Sequence, residues 1–214
     1  MANPTFSSFA LPITGVPIVF ESIEEHTSKL ADGTLKTEVA TTKTYRDSAG
    51  RMRIERNVNF SGGSVFLIQI FDHAEGFMTL LETGSKTAHR VIMPKLGQPG
   101  AQGPPRFMFT GPLVALPGEK TCNTDSLGTE TIAGAEFEGY RVTTTIQGQP
   151  SIVGIQEHWT SVDLGLIGLT SSSGPDSEDS VRIQRLERTE AEPTLFVIPS
   201  DYSVVDVGHF GSDA

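Results

Sequence analysis

The chain has 214 residues, with 26 acidic and 16 basic side chains and a formal net charge of −10. This length is enough for one large β domain that buries a sizeable core without a disulfide or a metal, and the single cysteine, Cys122, excludes a disulfide within the chain. The negative charge disfavours nucleic acid as a partner, and the lack of an apolar run of about 20 residues predicts that nothing spans a membrane.

Short strand-like segments separated by turn signals fill residues 16–93. The segment Arg51–Val58 alternates apolar and charged side chains, as a half-buried strand does, whereas Val65–Phe71 is apolar on both faces, which predicts a buried central strand. A meander of about six antiparallel strands is therefore predicted. Its segments are Val16–Lys29, Thr34–Arg46, Arg51–Val58, Val65–Phe71, Phe77–Glu82 and Thr87–Met93.

Residues 94–125 differ from the rest in being rich in proline and glycine. This composition predicts an extended connection, in which Cys122 lies in a loop. The apolar residues Phe107 and Phe109 are unusual in a free linker, so we expect them to pack on the sheet or in a groove.

The strand pattern resumes over residues 126–207, and no segment has helical periodicity. We predict an all-β fold with few or no helices, formed by one domain over residues 1–214. The strand segments predicted in this half are Thr129–Ile132, Phe137–Ile146, Val153–Val162, Leu166–Ser172, Val181–Arg188 and Leu195–Val207.

A search for reactive groups finds neither the His-Glu-x-x-His motif of zinc proteases, nor a phosphate-binding loop, nor a Gly-x-Ser-x-Gly elbow. The nearest approach to a metal site is Asp72-His73 with Glu75, and aspartate and histidine are also ordinary turn residues. We therefore predict no catalytic residue, no metal and no cofactor.

Several motifs resemble those of uncharacterised exported β-rich proteins from acidobacteria-like soil bacteria. Tyr45–Glu55 reads YRDSAGRMRIE, a strand–turn–strand of the form Y-R-D-x-x-G-R-x-R-x-E. The segments Lys86–Ala88, Ser126–Gly134, Glu157–Ser161 and Glu192–Tyr202 follow in the same order. The resemblance covers most of residues 35–205 and brings no known activity or site residue with it.

The strand order is more distantly similar to that of the outer-membrane lipoprotein carriers and their sensor relatives. This resemblance implies a strongly curved antiparallel sheet, an open half-barrel of about 10–12 strands, whose concave face takes acyl chains. It also implies a periplasmic or extracellular location, although no signal peptide is recognisable in the chain given, and a cytoplasmic location stays open. The carriers close their barrel with helices; here residues 94–125 would have to serve as the lid.

Three functional hypotheses follow. The first is a non-enzymatic binding protein with a hydrophobic ligand in a cavity near residues 94–125. The second is a structural or protein-interaction module that forms homo-oligomers through sheet edges or the Pro/Gly-rich segment, and the third is an enzyme of unrecognised type. The ligand site predicted under the first hypothesis consists of Met52, Ile54, Phe66, Ile68, Met78, Leu80, Phe107 and Phe109.

Overall fold

A computed structural model describes residues 12–60, 63–93, 95, 120–146, 149–174 and 177–209. Within these residues the regular structure consists of twelve β-strands and one 3-10 turn, η1. These residues contain no α-helix and no helix long and apolar enough to cross a membrane. The elements are β1 (Ile18–Lys29), β2 (Leu35–Arg46), β3 (Met52–Phe60), β4 (Gly63–Asp72), β5 (Phe77–Glu82), β6 (Thr87–Ile92), β7 (Lys120–Ile132), β8 (Ala135–Ile146), β9 (Gln149–Ser161), β10 (Leu166–Ser173), β11 (Ser177–Glu187), η1 (Pro193–Phe196) and β12 (Ser203–His209).

Hydrogen bonds join the strands in the order β12-β6-β5-β4-β3-β2-β1-β11-β10-β9-β8-β7. Pairing is antiparallel from β2 to β6 and from β7 to β11. Within the described residues the order ends at β12 and β7, so the sheet is open. The predicted all-β class, the open antiparallel sheet and the strand number are confirmed.

One pair departs from the antiparallel pattern, because β12 runs parallel to β6. The chain enters β12 beside the start of β6, where Ser203 pairs with Thr87 and the Ser203 N–H donates to the Lys86 carbonyl at 2.9 Å. A strand that begins beside the first residue of its neighbour must run in the same direction, and such a pair requires a crossover connection rather than a hairpin.

The starts of β9 and β11 lie four residues before the predicted ones, at Gln149 and Ser177. Two predicted strands differ more strongly from the structure. β7 begins at Lys120 rather than Thr129, so Cys122 is an exposed strand residue instead of a loop residue. The segment is polar, so it carries no apolar alternation that would reveal it, and among the described strands it pairs only with β8. The predicted strand Leu195–Val207 is interrupted, since η1 occupies Pro193–Phe196 and β12 begins only at Ser203.

The chain folds into two compact units. The first unit contains the described residues within Ser22–Ala40 and Phe107–Arg185, and the second contains those within Ala10–Glu21, Thr41–Arg106 and Leu186–Ala214. Strands β1 and β2 each contribute residues to both units. The single domain expected over residues 1–214 stays a prediction.

Two glycines shape the core of the first unit by lying directly beneath aromatic rings. A Cβ atom on Gly139 would lie 2.6 Å from the Trp159 ring, and one on Gly168 would lie 2.5 Å from the Phe137 ring. Both rings are buried, so glycine at these positions leaves room for each ring to lie close to the backbone of another strand. The other buried apolar side chains of this unit are Ile132, Ala135, Ile146, Leu164, Leu166, Val181 and Ile183.

In the second unit, residues 188–202 cross one face of the sheet; we call this segment the strap and the face beneath it the covered face. Ala191 and Phe196 of the strap form a buried cluster with Ile68, Ile70, Leu81 and Ala88, and Leu195, Ile198 and Tyr202 pack against it. Burial of this apolar surface is the main contribution to holding the strap in place.

Polar contacts fix the strap at several points along its length. Arg53 Nη1 donates to the Leu195 carbonyl at 2.9 Å, and the Arg51 guanidinium lies 5.0 Å from the centre of the Phe196 ring. Near one end Glu190 accepts hydrogen bonds from Ser48, and near the other Asp201 pairs with Lys86. The strap is therefore an ordered part of the second unit.

Candidate functional site

The second unit has another sheet face, whose side chains alternate along each strand with those of the covered face. Strand register places Met52, Phe71, Met78 and Val91 in one row across β3, β4, β5 and β6. The next row contains Ile54, Gln69, Leu80 and His89. We define the apolar face as Met52, Ile54, Leu67, Phe71, Met78, Leu80 and Val91.

The two faces differ in their access to water. On the covered face Ile68, Ile70 and Leu81 are buried beneath the strap, while Phe66 and Ile92, outside the strap's cluster, are exposed. On the apolar face only Met52 is buried, and the other six side chains are partly exposed. A run of partly exposed apolar side chains across four adjacent strands is the kind of surface that proteins use to bind an apolar partner.

The residues predicted to line a ligand site are divided between the two faces. Met52, Ile54, Met78 and Leu80 lie together on the apolar face. Ile68 pairs with Glu55, and Phe66 with Asn57, so both lie on the side of the covered face. Phe107 and Phe109 lie outside the described residues. Sequence reasoning missed Leu67, Phe71 and Val91, because β4 is apolar on both sides and its orientation depends on register.

The apolar face ends at β2, where polar side chains continue its rows. Arg46 lies opposite Met52 and Thr44 opposite Ile54. Arg46 is completely buried, its Nε donates to the Val16 carbonyl at 2.9 Å, and burial lowers the pKa of its guanidinium to about 10. Arg46 is therefore still a cation at neutral pH, and its side chain is buried and not accessible at the surface of the unit.

Thr44 has a buried hydroxyl oxygen that lacks a hydrogen-bond partner in the described part of the chain. Leaving such a group unpaired costs about 1–3 kcal/mol. We therefore expect Thr44→Val to raise the free energy of unfolding by about 1 kcal/mol. Thr42 is equally buried, at 1% exposure, but does have a partner. Thr42→Val should thus be destabilising, and urea unfolding of both variants checks the contrast; destabilisation by both would contradict it.

His73 of the Asp72-His73 and Glu75 group lies in the turn between β4 and β5. Its ring stacks on Phe71 with 6.3 Å between ring centres, and the Asp72 carboxylate accepts the Glu75 N–H at 3.0 Å. These contacts cap and close the turn. No group of three His, Cys, Asp or Glu side chains that could hold a metal occurs in the described residues.

Burial lowers the pKa of His73, and the same cause lowers the pKa of His158 in the first unit. The unfolded chain therefore binds protons more readily than the folded chain, and stability falls as the pH drops through about 6.5 towards the lower folded-state values. We expect His73→Gln to lose less stability than the wild type between pH 7.5 and pH 5.5 in urea unfolding. Equal losses would contradict a contribution from His73.

The polar side chains of the first unit pair with one another. His26 Nδ1 lies 2.6 Å from Asp179 Oδ1, and the Arg141 guanidinium lies 2.6 Å from a Glu157 oxygen. Each of these two pairs joins neighbouring strands, β1 with β11 and β8 with β9, as cross-strand ion pairs that stabilise a sheet do. The apolar face of the second unit is thus the better candidate site.

No protein-family model and no curated protein matches this chain, whereas solved structures do. In the complex of MucA and MucB from Pseudomonas aeruginosa, the match has a TM-score of 0.42 and 14% identity and covers 89% of this chain, which spans 59% of that protein's length. A domain described as outer membrane lipoprotein-sorting, from Vibrio parahaemolyticus, matches with a TM-score of 0.33 and 9% identity, covering 83% of this chain and 89% of that one.

A LolA superfamily protein from Nitrosomonas europaea matches with a TM-score of 0.34 and 7% identity, over 85% of this chain and 90% of that one. The resemblance to lipoprotein carriers has counterparts among these structures, whereas the resemblance to exported proteins of soil bacteria has none. Identities of 7–14% and TM-scores of 0.33–0.42 are too low to assign a function to this chain.

Proposed function

We propose that this chain is a non-enzymatic binding protein that holds a hydrophobic, acyl-type ligand against the apolar face of the second unit. The observation that carries the proposal is the difference between the two sheet faces. The strap buries Ile68, Ile70, Leu81 and Ala88 in the middle of the covered face, with Phe66 and Ile92 exposed outside that cluster, whereas the apolar face keeps six partly exposed apolar side chains next to one another.

The side chains of the apolar face suit a flexible hydrocarbon chain. Met52 and Met78 stand in the same row, and methionine adapts its unbranched side chain to irregular apolar partners. Each methylene group that leaves water contributes about 0.8 kcal/mol. For a ligand that lies along several strands, the free energy of burying these methylene groups can therefore offset the translational and conformational entropy lost on binding.

The polar groups beside this face support binding rather than catalysis. Glu82 and His89 are in contact at 3.8 Å and both remain accessible to water. A catalytic site needs a nucleophile or a proton-transfer group aimed at a shared point with stabilising donors. We therefore assign the face to holding a ligand and not to transforming one.

Leu80→Gln tests this assignment, because it places a polar amide in the middle of the apolar face. A fluorescent acyl probe, 11-(dansylamino)undecanoic acid, should bind the wild-type protein with a rise in emission. We expect the variant to bind it about tenfold more weakly, which corresponds to about 1.4 kcal/mol. Titration at fixed protein concentration measures both affinities.

Ile92→Gln is the matched control. Ile92 pairs with Phe77 on the opposite side of the same sheet and is exposed, so this variant should bind the probe as the wild type does. Failure of the wild type to bind the probe, or equal weakening by the two substitutions, would contradict the proposed site.

We also propose that the protein works in the periplasm or outside the cell, as the sequence resemblance to lipoprotein carriers implies. In fractionation of the native host cells followed by immunoblotting, we expect the protein in the periplasmic or extracellular fraction. Recovery in the cytoplasmic fraction alone would contradict this location and leave the ligand proposal to be judged separately.

A further inference from the structure

The edge strand β12 carries neither proline nor lysine to protect it, and its pairing with β6 is regular from Ser203 to Asp206 and shifts only after Asp206. It ends the order of the described strands and pairs only with β6. Its sequence, SVVDVGH, contains neither proline nor lysine, the residues that commonly discourage pairing at an edge. Val204, Val205 and Val207 are all exposed, at 48%, 42% and 53%. Such an edge is a template for a further strand.

Backbone alternation shows which groups of β12 are available for pairing. The Ser203 N–H points towards β6, since it donates to the Lys86 carbonyl at 2.9 Å. Successive residues of a strand direct their N–H and C=O groups to opposite sides. Val205 therefore also faces β6, whereas Val204 and Asp206 direct their N–H and C=O groups away from the sheet.

The acidic side chains near this edge form ion pairs within the chain. Asp206 is held by Arg90 through two hydrogen bonds of 2.7 and 3.2 Å. Asp201, just before the strand, pairs with Lys86 at 2.6 Å. An incoming strand therefore meets exposed valines and ion-paired acids rather than a row of unpaired charge.

We propose that β12 pairs with β12 of a second copy of this chain, antiparallel about a two-fold axis at Val205. This proposal does not depend on the acyl ligand. The register places Val204 opposite Asp206 of the second copy, so the outward-facing residues of each strand exchange backbone hydrogen bonds in both directions. Val205 lies opposite its own copy in a position where the side chains come close.

Other registers are less favourable for the same residues. Centring the pair on Asp206 brings two aspartates face to face, and like charges directly opposite are destabilising. Centring it on Val204 shortens the overlap, because Tyr202 before the strand then faces Asp206. A pair centred on Val205 keeps like charges apart and joins residues 203–207 of both strands. A single patch that complements itself is what a two-fold dimer requires.

Net charge sets how this association responds to salt. Each copy carries a formal charge of −10, so two copies repel one another. Dissolved salt screens this electrostatic repulsion. Dimerisation should therefore strengthen as salt rises. A single strand pair is a small interface, and we expect a dissociation constant on the order of 10–100 μM.

Sedimentation velocity over a concentration series up to about 200 μM, in low salt and in about 0.3 M salt, tests the proposal. We expect a monomer–dimer equilibrium that shifts towards dimer with salt. Val205→Lys brings two cations together at the axis and should leave only monomer. Val162→Lys makes the same change at a valine that is 80% exposed in a turn of the first unit, and it should dimerise normally.

Cysteine cross-linking tests the register itself, in a Cys122→Ser background that removes the exposed native thiol. Val205→Cys should form an intermolecular disulfide under mild oxidation, because opposed residues of such a pair lie at disulfide distance. Val204→Cys faces Asp206 and should cross-link far more slowly. A wild-type chain that stays monomeric throughout, a dimer that survives Val205→Lys, or equal cross-linking at both positions would overturn the proposal.

Discussion

Phe196→Ala is expected to lower the free energy of unfolding by about 3–5 kcal/mol, the usual cost of removing a buried phenylalanine side chain. Phe196 is 6% exposed and is the largest buried side chain of the strap. Its loss leaves a cavity against Ile68, Ile70 and Leu81, and it also removes the ring that the Arg51 guanidinium faces at 5.0 Å. Urea unfolding followed by circular dichroism measures the change.

Val197→Ala is the control for this experiment, since Val197 is the next residue in the chain but is 52% exposed. It should change the free energy of unfolding by less than about 0.5 kcal/mol. A small effect of Phe196→Ala, comparable to that of Val197→Ala, would show that the strap does not contribute to the stability of the second unit.

Gly168→Ala and Gly139→Ala are expected to destabilise the first unit by about 1–3 kcal/mol each, as overpacking does. The added methyl group would come within 2.5 Å of the Phe137 ring in one case and 2.6 Å of the Trp159 ring in the other. Both rings are buried and cannot move aside without displacing their neighbours. Trp159 is the only tryptophan, so its emission spectrum should also shift in Gly139→Ala.

Gly154→Ala is the matched control, because a Cβ atom there would lie 3.6 Å from the Ser173 carbonyl oxygen, an ordinary contact. It lies in β9, and its substitution should be nearly neutral or mildly stabilising, as alanine restricts the unfolded chain more than glycine does. In the double variant Phe137→Leu with Gly168→Ala, the alanine should lower the free energy of unfolding by less than it does in the otherwise wild-type chain, because the smaller leucine side chain leaves room for the methyl group. Equal stability of Gly154→Ala and Gly168→Ala would contradict the proposed packing.

The sequence pattern was sufficient to predict the fold class and most strands. Alternation in Arg51–Val58 identified β3 and correctly placed Met52 and Ile54 on one side of it. Turn residues marked the hairpins. Both signals are local, arising from side-chain periodicity and backbone preference within a few residues.

The features that could not be predicted depend on contacts between distant residues. β4 is apolar on both sides, so only its register with β3 separates Ile68 from the apolar face. The parallel pairing of β12 depends on where the strap crosses the sheet. The polar strand around Cys122 has no apolar alternation, and the ring-over-glycine contacts join Gly168 to Phe137 across strands.

The central claim, that the apolar face of the second unit holds an acyl-type ligand, is tested most directly by native mass spectrometry of gently purified protein from its native host. The spectrum before delipidation should contain, besides the 23.0 kDa chain, a species with a reproducible extra mass in the range of acyl lipids. That mass should disappear after denaturing delipidation and refolding, and it should be reduced in Leu80→Gln but not in Ile92→Gln. A bare chain mass throughout, or a bound lipid that both variants retain equally, would contradict the claim.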